Sequence, residues 1–151
     1  MSEMIGAAVT ALEYYAAQLV RDYEAIAEAQ RTRKFGEAGT SAAQILKQCA
    51  LVMRRQADYV RGEEPRVPFE PAPVAADAEE VLKEFRAAAQ ELRATLEALK
   101  PDSLAEERTM PWGASMPLGQ YIFRPAYHLA YHDGQLAYIQ LLLGDTEFHS
   151  G

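Results

Sequence analysis

Prolines at positions 65, 68, 71 and 73 interrupt a chain that otherwise reads as helix along nearly its whole length. Each proline fixes φ and removes a backbone donor, so "EEPRVPFEPAPVAA" is excluded from helix and favours extended backbone. The segment is a long, fairly stiff crossover and not a tight turn. Helices of about 20 residues are ~30 Å long at 1.5 Å per residue. An extended connection of about 14 residues, at up to ~3.3 Å each, can cross that distance. The helices flanking it can therefore run parallel; a looped-out antiparallel connection is also compatible.

Four helical segments are expected. The first covers about residues 3 to 30, with Ile5, Leu12, Leu19 and Ile26 recurring every seven residues as one apolar stripe. The second opens at Ser41, where "SAAQ" has the form of a capping box with Gln44, and carries Ile45, Cys49, Val52 and Tyr59 up to Gly62. Asp77 and Glu80 repeat the box pattern before a third helix bearing Val81, Phe85, Leu92, Leu96 and Leu99, stopped by Pro101. The fourth runs from about Leu118 to Leu143 and ends at Gly144, with Pro125 either kinking it or marking its true first turn. No strand pattern competes. The expected fold is an all-α four-helix bundle forming one domain over residues 1–151.

The 15 basic and 22 acidic side chains give a formal net charge of −7, which repels phosphate backbones and argues against a nucleic-acid partner. The single cysteine, Cys49, excludes an internal disulfide and fits a reducing compartment. The N-terminus lacks a basic start, and no apolar run approaches the roughly 18 residues of a membrane span. The chain reads as cytoplasmic, with no membrane partner.

"YHLAYHDGQLAYIQLLLG" places His128 and His132 four apart, on one helical face with Gln135 and Ile139. Two inward-facing imidazoles need partners. A shared divalent metal is one solution, and buried hydrogen bonds are the other. Leu129 follows His128, so the glutamate base of the zincin proteases is absent.

"HLAYHDGQLAYI" after "PWGASMPLGQYIFRPAY" resembles the DinB/YfiT-like family, whose last helix carries a histidine, a second one four residues on, and then a polar-glycine-glutamine sequence. The likeness extends over nearly the whole chain. It implies an up-down-down-up bundle, often a homodimer, with a divalent metal (zinc, nickel or manganese) in a pocket between helices. Activities implied by the resemblance are those of thiol-dependent transferases or isomerases and metal-dependent hydrolases acting on a small-molecule substrate. Family members place a third histidine two residues after the "IL" of the second helix. That position here is Gln48, a neutral and weaker donor, so the implied metal set is His128, His132 and Gln48.

Around this set, Gln135 would orient a histidine or ligand, and Arg55, two turns after Gln48, would meet an anionic substrate or else snorkel to solvent. Trp112 and Pro111 would roof a pocket or anchor their loop. Tyr121 is expected to line the same pocket, and with Tyr14, Tyr15, Tyr127, Tyr131 and Tyr138 it forms aromatic bulk at helical spacing, expected in core or dimer contacts. Cys49 is expected to pack as a small core residue. Asp133 and His149 are considered as extra ligands and read as surface residues. If the chain is an enzyme, a metal-activated water or thiol would attack a small electrophile. The alternative is a non-catalytic dimeric binding or scaffold relative disabled at Gln48.

Overall fold

The computed structural model describes residues 1–69, 75–110 and 112–149. Prolines 71 and 73 of the crossover and Pro111 lie outside the described residues. Five helices are present among them: α1 (Glu3–Ala25), α2 (Ala42–Arg61), α3 (Glu80–Glu97), the short α4 (Leu118–Tyr121) and α5 (Arg124–Leu142).

Local chemistry sets most boundaries. Ser41 Oγ accepts from the Gln44 amide at 3.2 Å while the Gln44 side chain accepts from the Ser41 amide at 3.0 Å, so the expected capping box closes both ways. Such a cap contributes about 1 kcal/mol. Gly62 ends α2 with φ +75°, the left-handed conformation that suits glycine. The second box closes by half: Asp77 Oδ1 accepts from the Glu79 and Glu80 amides, each at 3.0 Å, with no returning bond from Glu80 among those described.

Two expectations are corrected. The first helix stops at Ala25, not near 30. Ile26 turns to extended backbone yet stays buried, and a separate 3-10 turn follows at Glu28–Gln30. No glycine or proline marks this stop. Arg31 folds back and donates to the carbonyls of Glu24 and Ile26, so the cap comes from six residues downstream. The connection before the last helix also holds a small antiparallel hairpin, β1 (Glu107–Thr109) with β2 (Ser115–Pro117). Three-residue strands are too short to register as alternation. Arg108 of β1 donates to the Tyr59 carbonyl at 3.1 Å, sharing that acceptor at the end of α2 with the Gly62 amide.

Pro125 resolves as a first-turn residue. Its ring and missing donor are incompatible with a helical bond to the Tyr121 carbonyl, four residues earlier, and α4 ends at Tyr121. The chain then turns through Ile122 and Phe123 and restarts as α5.

Side-chain pairs fix helix directions. Lys47 near the start of α2 meets Glu84 near the start of α3, and Arg61 at the end of α2 bonds Thr95 near the end of α3 at 3.1 Å. These two helices therefore run parallel across the crossover. Glu13 and Glu24 of α1 pair with Arg93 and Arg86 of α3 in reversed order, and Asp22 late in α1 meets Gln140 late in α5. The directions are up, down, down, up.

The heptad residues Ile5, Leu12, Leu19 and Ile26 join Tyr23, Ile45, Leu46, Met53, Phe85, Leu92, Leu96, Leu129 and Leu136 in one core. Each such side chain contributes about 1.5–3 kcal/mol on burial. Among the described residues no helix is long and apolar enough to cross a membrane.

Candidate metal centre and adjoining cavity

α5 carries both histidines inward from its first two turns. His132 is buried, 5% exposed, and His128 is half-buried one turn earlier. Their Nε2 atoms stand 3.1 Å apart, with ring centroids at 4.5 Å. Gln135 Oε1 lies 2.6 Å from His132 Nδ1. A carbonyl oxygen only accepts, so Nδ1 of His132 holds the proton and its Nε2 carries a lone pair aimed at His128. His128 Nδ1 is buried without a hydrogen-bond partner.

Burial holds both rings neutral. The His128 pKa falls from 6.5 to about 3, chiefly through desolvation, with His132, Arg55 and Arg124 adding unfavourable positive potential. That of His132 is lowered by burial and partly restored by Gln135. Neutral imidazoles are the form that binds metal.

For the third donor the structure offers a second candidate beside Gln48. Gln48 is exposed on α2, where it lines a cavity together with His128. Cys49, fully buried on the other side of Gln48, has its Sγ and the nitrogens of both histidines all within 4.8 Å of one another. The cysteine expected to be simple core filling thus joins the histidine pair. Burial, with Asp133 adding to it, pushes its thiol above the usual range. A divalent ion fits this donor set: two neutral imidazoles converge, the Gln135 amide fixes the tautomer of one, and a thiol within reach becomes an anionic ligand when metal displaces its proton.

The adjoining cavity has a volume of about 270 Å³. Gln48, Val52, Arg55 and Tyr59, spaced four, three and four residues apart along α2, form one of its walls. Tyr121, Arg124 and His128 form the opposite one, and Phe69 and Trp112 stand at the rim. Every cavity residue expected from the sequence (Arg55, Tyr121, Trp112) lies here, except Gln135, which sits behind His132. Tyr121 is buried, its ring edge-on to Tyr59 at 6.0 Å, and burial pushes its hydroxyl pKa up. Phe69, Gln56 and Arg124 were not anticipated. Gln56 could have been found as the residue eight beyond Gln48 on the same helix; Phe69 lies in the proline segment and had no signal.

Asp133 faces away from the pair, as expected, but it is not a surface residue. It hydrogen-bonds Asp22 of α1, and burial with that neighbour raises its carboxyl pKa to about 7. His149 pairs with Asp145 at 2.6 Å in the tail. A larger cleft of about 710 Å³ lies between the ends of α2 and α3, but its charges pair with one another, Arg61 with Glu63 and Glu91, and Arg108 with Glu106. In the smaller cavity two buried polar atoms of the described residues, Gln56 Oε1 and His128 Nδ1, have no hydrogen-bond partner.

Residues 11–136 match the model of the DinB superfamily. The chain belongs to the DinB superfamily. None of the curated proteins compared with it matches in sequence. Its fold is similar to that of YfiT from Bacillus subtilis, described as a probable metal-dependent hydrolase with an unusual four-helix bundle topology (TM-score 0.73, 16% identity, covering 95% of this chain and 90% of that one). It is likewise similar to a DinB-like protein from Bacillus cereus (TM-score 0.74, 12% identity, 91% of each chain). A variant of a mycothiol-dependent maleylpyruvate isomerase gives TM-score 0.75 at 11% identity over 90% of this DinB chain. The match spans only 63% of the isomerase's length. At these identities the likeness is one of fold.

Proposed function

We propose that this DinB protein is a metal-dependent enzyme of the transferase or hydrolase type, holding one divalent ion on His128, His132 and Cys49. The observation that carries this reading is the convergence of two neutral imidazoles, Nε2 to Nε2 at 3.1 Å, with Gln135 fixing the tautomer of one. Gln48, the third ligand expected from the sequence, stands on the cavity side, where it would contact substrate or a weakly held ion. The description of YfiT as a probable metal-dependent hydrolase supports this class, and the mycothiol dependence of the isomerase supports a thiol as cosubstrate.

When bound, the ion supplies Lewis acidity that activates water or a thiol as a nucleophile. The protein's own groups do the rest. His128 and His132 stay neutral and act as ligands, not as the general base. Gln135 holds the His132 ring in place by accepting a hydrogen bond from its Nδ1–H. The cavity beside His128 orients a small substrate and limits access of bulk water. We further propose that the protein is a homodimer; the exposed tyrosine stripe of α5 supports this.

Titration of tag-free protein with zinc, nickel and manganese tests the centre. The expected result is stoichiometric zinc uptake. Affinity should fall by at least about 10–100-fold in His132→Ala and Cys49→Ala, and by about that range in Gln135→Leu, because even outer partners contribute that much. Gln48→Ala should change it little. Equal, negligible uptake by wild type and His132→Ala would defeat the metal reading in favour of a non-catalytic binding protein. Tight binding gained only in Gln48→His would do the same, marking the site as degenerate.

A further inference from the structure

Arg61, Arg66, Arg86, Arg93 and Arg108 each pair with a carboxylate, as expected in a chain with seven excess acids. Of the other six arginines, Arg55 and Arg124 are the two that share a cavity. Among the described residues neither forms an ion pair, and no acidic side chain lines the cavity they share. Burial lowers the Arg55 pKa, and the groups acting to raise it are Tyr59 and Tyr121, not a carboxylate. Among the described residues its one hydrogen bond is a long one, 3.3 Å, to the Pro68 carbonyl.

Both guanidiniums are stacked on rim aromatics. Arg55 lies 4.7 Å from the centroid of Phe69 and Arg124 lies 5.1 Å from that of Trp112. Stacking uses the planar face of the group and leaves its edge donors free, the geometry suited to a bidentate carboxylate. Gln56, only 7% exposed, lines the same cavity, and its Oε1 is buried with no partner. An acceptor left in this state is costly unless a ligand supplies a donor. At about 270 Å³ the space lies just below the roughly 300–1,000 Å³ of drug-sized pockets.

We infer that the cavity takes a small hydroxy- or amino-substituted carboxylic acid, its carboxylate held by Arg55 and Arg124, its donor on Gln56 and its apolar body against Phe69 and Trp112. This deepens, and rests on, the reading of the cavity as the substrate pocket beside the metal. The two positive charges explain how an acid is drawn into a protein of net charge −7. They also hold its carboxylate and apolar body at the mouth, with its donor turned inward to Gln56.

Trp112 is the chain's single tryptophan, so its fluorescence reports on this cavity alone. Metal-free protein in a chelator is titrated with 2-hydroxy-3-phenylpropanoate and, separately, with the corresponding neutral amide. The acid should give a saturable change, the amide should bind at least about tenfold more weakly, and Arg55→Gln and Arg124→Gln should each weaken the acid about tenfold, the loss expected for one charge-assisted bond. Absence of saturation by the acid, or equal binding of acid and amide, overturns the inference even if the arginine variants fail to fold. Acid binding at wild-type strength in both folded variants also overturns it. Because metal is absent, acid binding without zinc uptake would sink the metal centre and leave this inference standing, and the reverse pattern would do the opposite.

Discussion

Asp133 neighbours His132 in sequence and faces the other way, toward Asp22 of α1. Helix geometry alone gave that direction; what it could not give was the acid waiting on another helix. The encounter has a pH signature. Asp133 keeps its proton up to about pH 7 when folded but ionises near 3.8 by its ordinary value, so its contribution is full below 3.8 and is lost as pH rises through about 7. His128 acts in the opposite sense: the unfolded chain takes up a proton below about 6.5 while the folded ring resists until about 3, so stability falls as pH drops across that window. Between 3.8 and 6.5 the two oppose each other. Asp133→Asn removes one of them and can still donate to Asp22. Urea midpoints should show the variant more stable than wild type at pH 8, with the gain vanishing toward pH 4. A gain independent of pH, or a loss at pH 8, would contradict this assignment.

α5 has two working faces. The inner one carries Leu129, His132, Leu136 and Ile139, and its period was readable from the sequence. The outer one exposes Tyr127, Tyr131, Gly134, Tyr138 and Leu141, spaced four, three, four and three residues apart as a heptad seam, with Tyr127 also lining the cavity. A Cβ at Gly134 would meet open space, so a second helix can approach closely there. The tyrosines expected in core or dimer contacts thus divide: Tyr121 is core, whereas Tyr14, Tyr127, Tyr131 and Tyr138 are exposed. Sedimentation equilibrium should return twice the chain mass of 16.8 kDa, and Tyr138→Glu should return the chain mass with helicity unchanged. A wild-type monomer at tens of micromolar would remove the seam as an interface.

For the molecule as a whole, the proline crossover and the apolar heptads were enough to specify four long helices and to admit the parallel middle pair, because both act through local geometry and length. Ser41 and Gly62 fixed the ends of α2 for the same reason. The stop at Ala25 and the hairpin depended on contacts between distant residues, Arg31 with Glu24 and Ile26, and Arg108 with Tyr59, and left no local trace. The histidine pair was legible from its spacing. The thiol was not, since Cys49 looks like core by every one-dimensional measure and reaches the rings only because α2 and α5 pack together. The metal shell is therefore where the account is most exposed. An X-ray absorption spectrum of the zinc-loaded protein examines it directly. Two imidazole nitrogens at about 2.0–2.1 Å and one sulfur at about 2.3 Å are expected, with the imidazole scattering lost in the His128→Ala, His132→Ala double variant. A shell of oxygen alone, or a spectrum identical in the double variant, would contradict it.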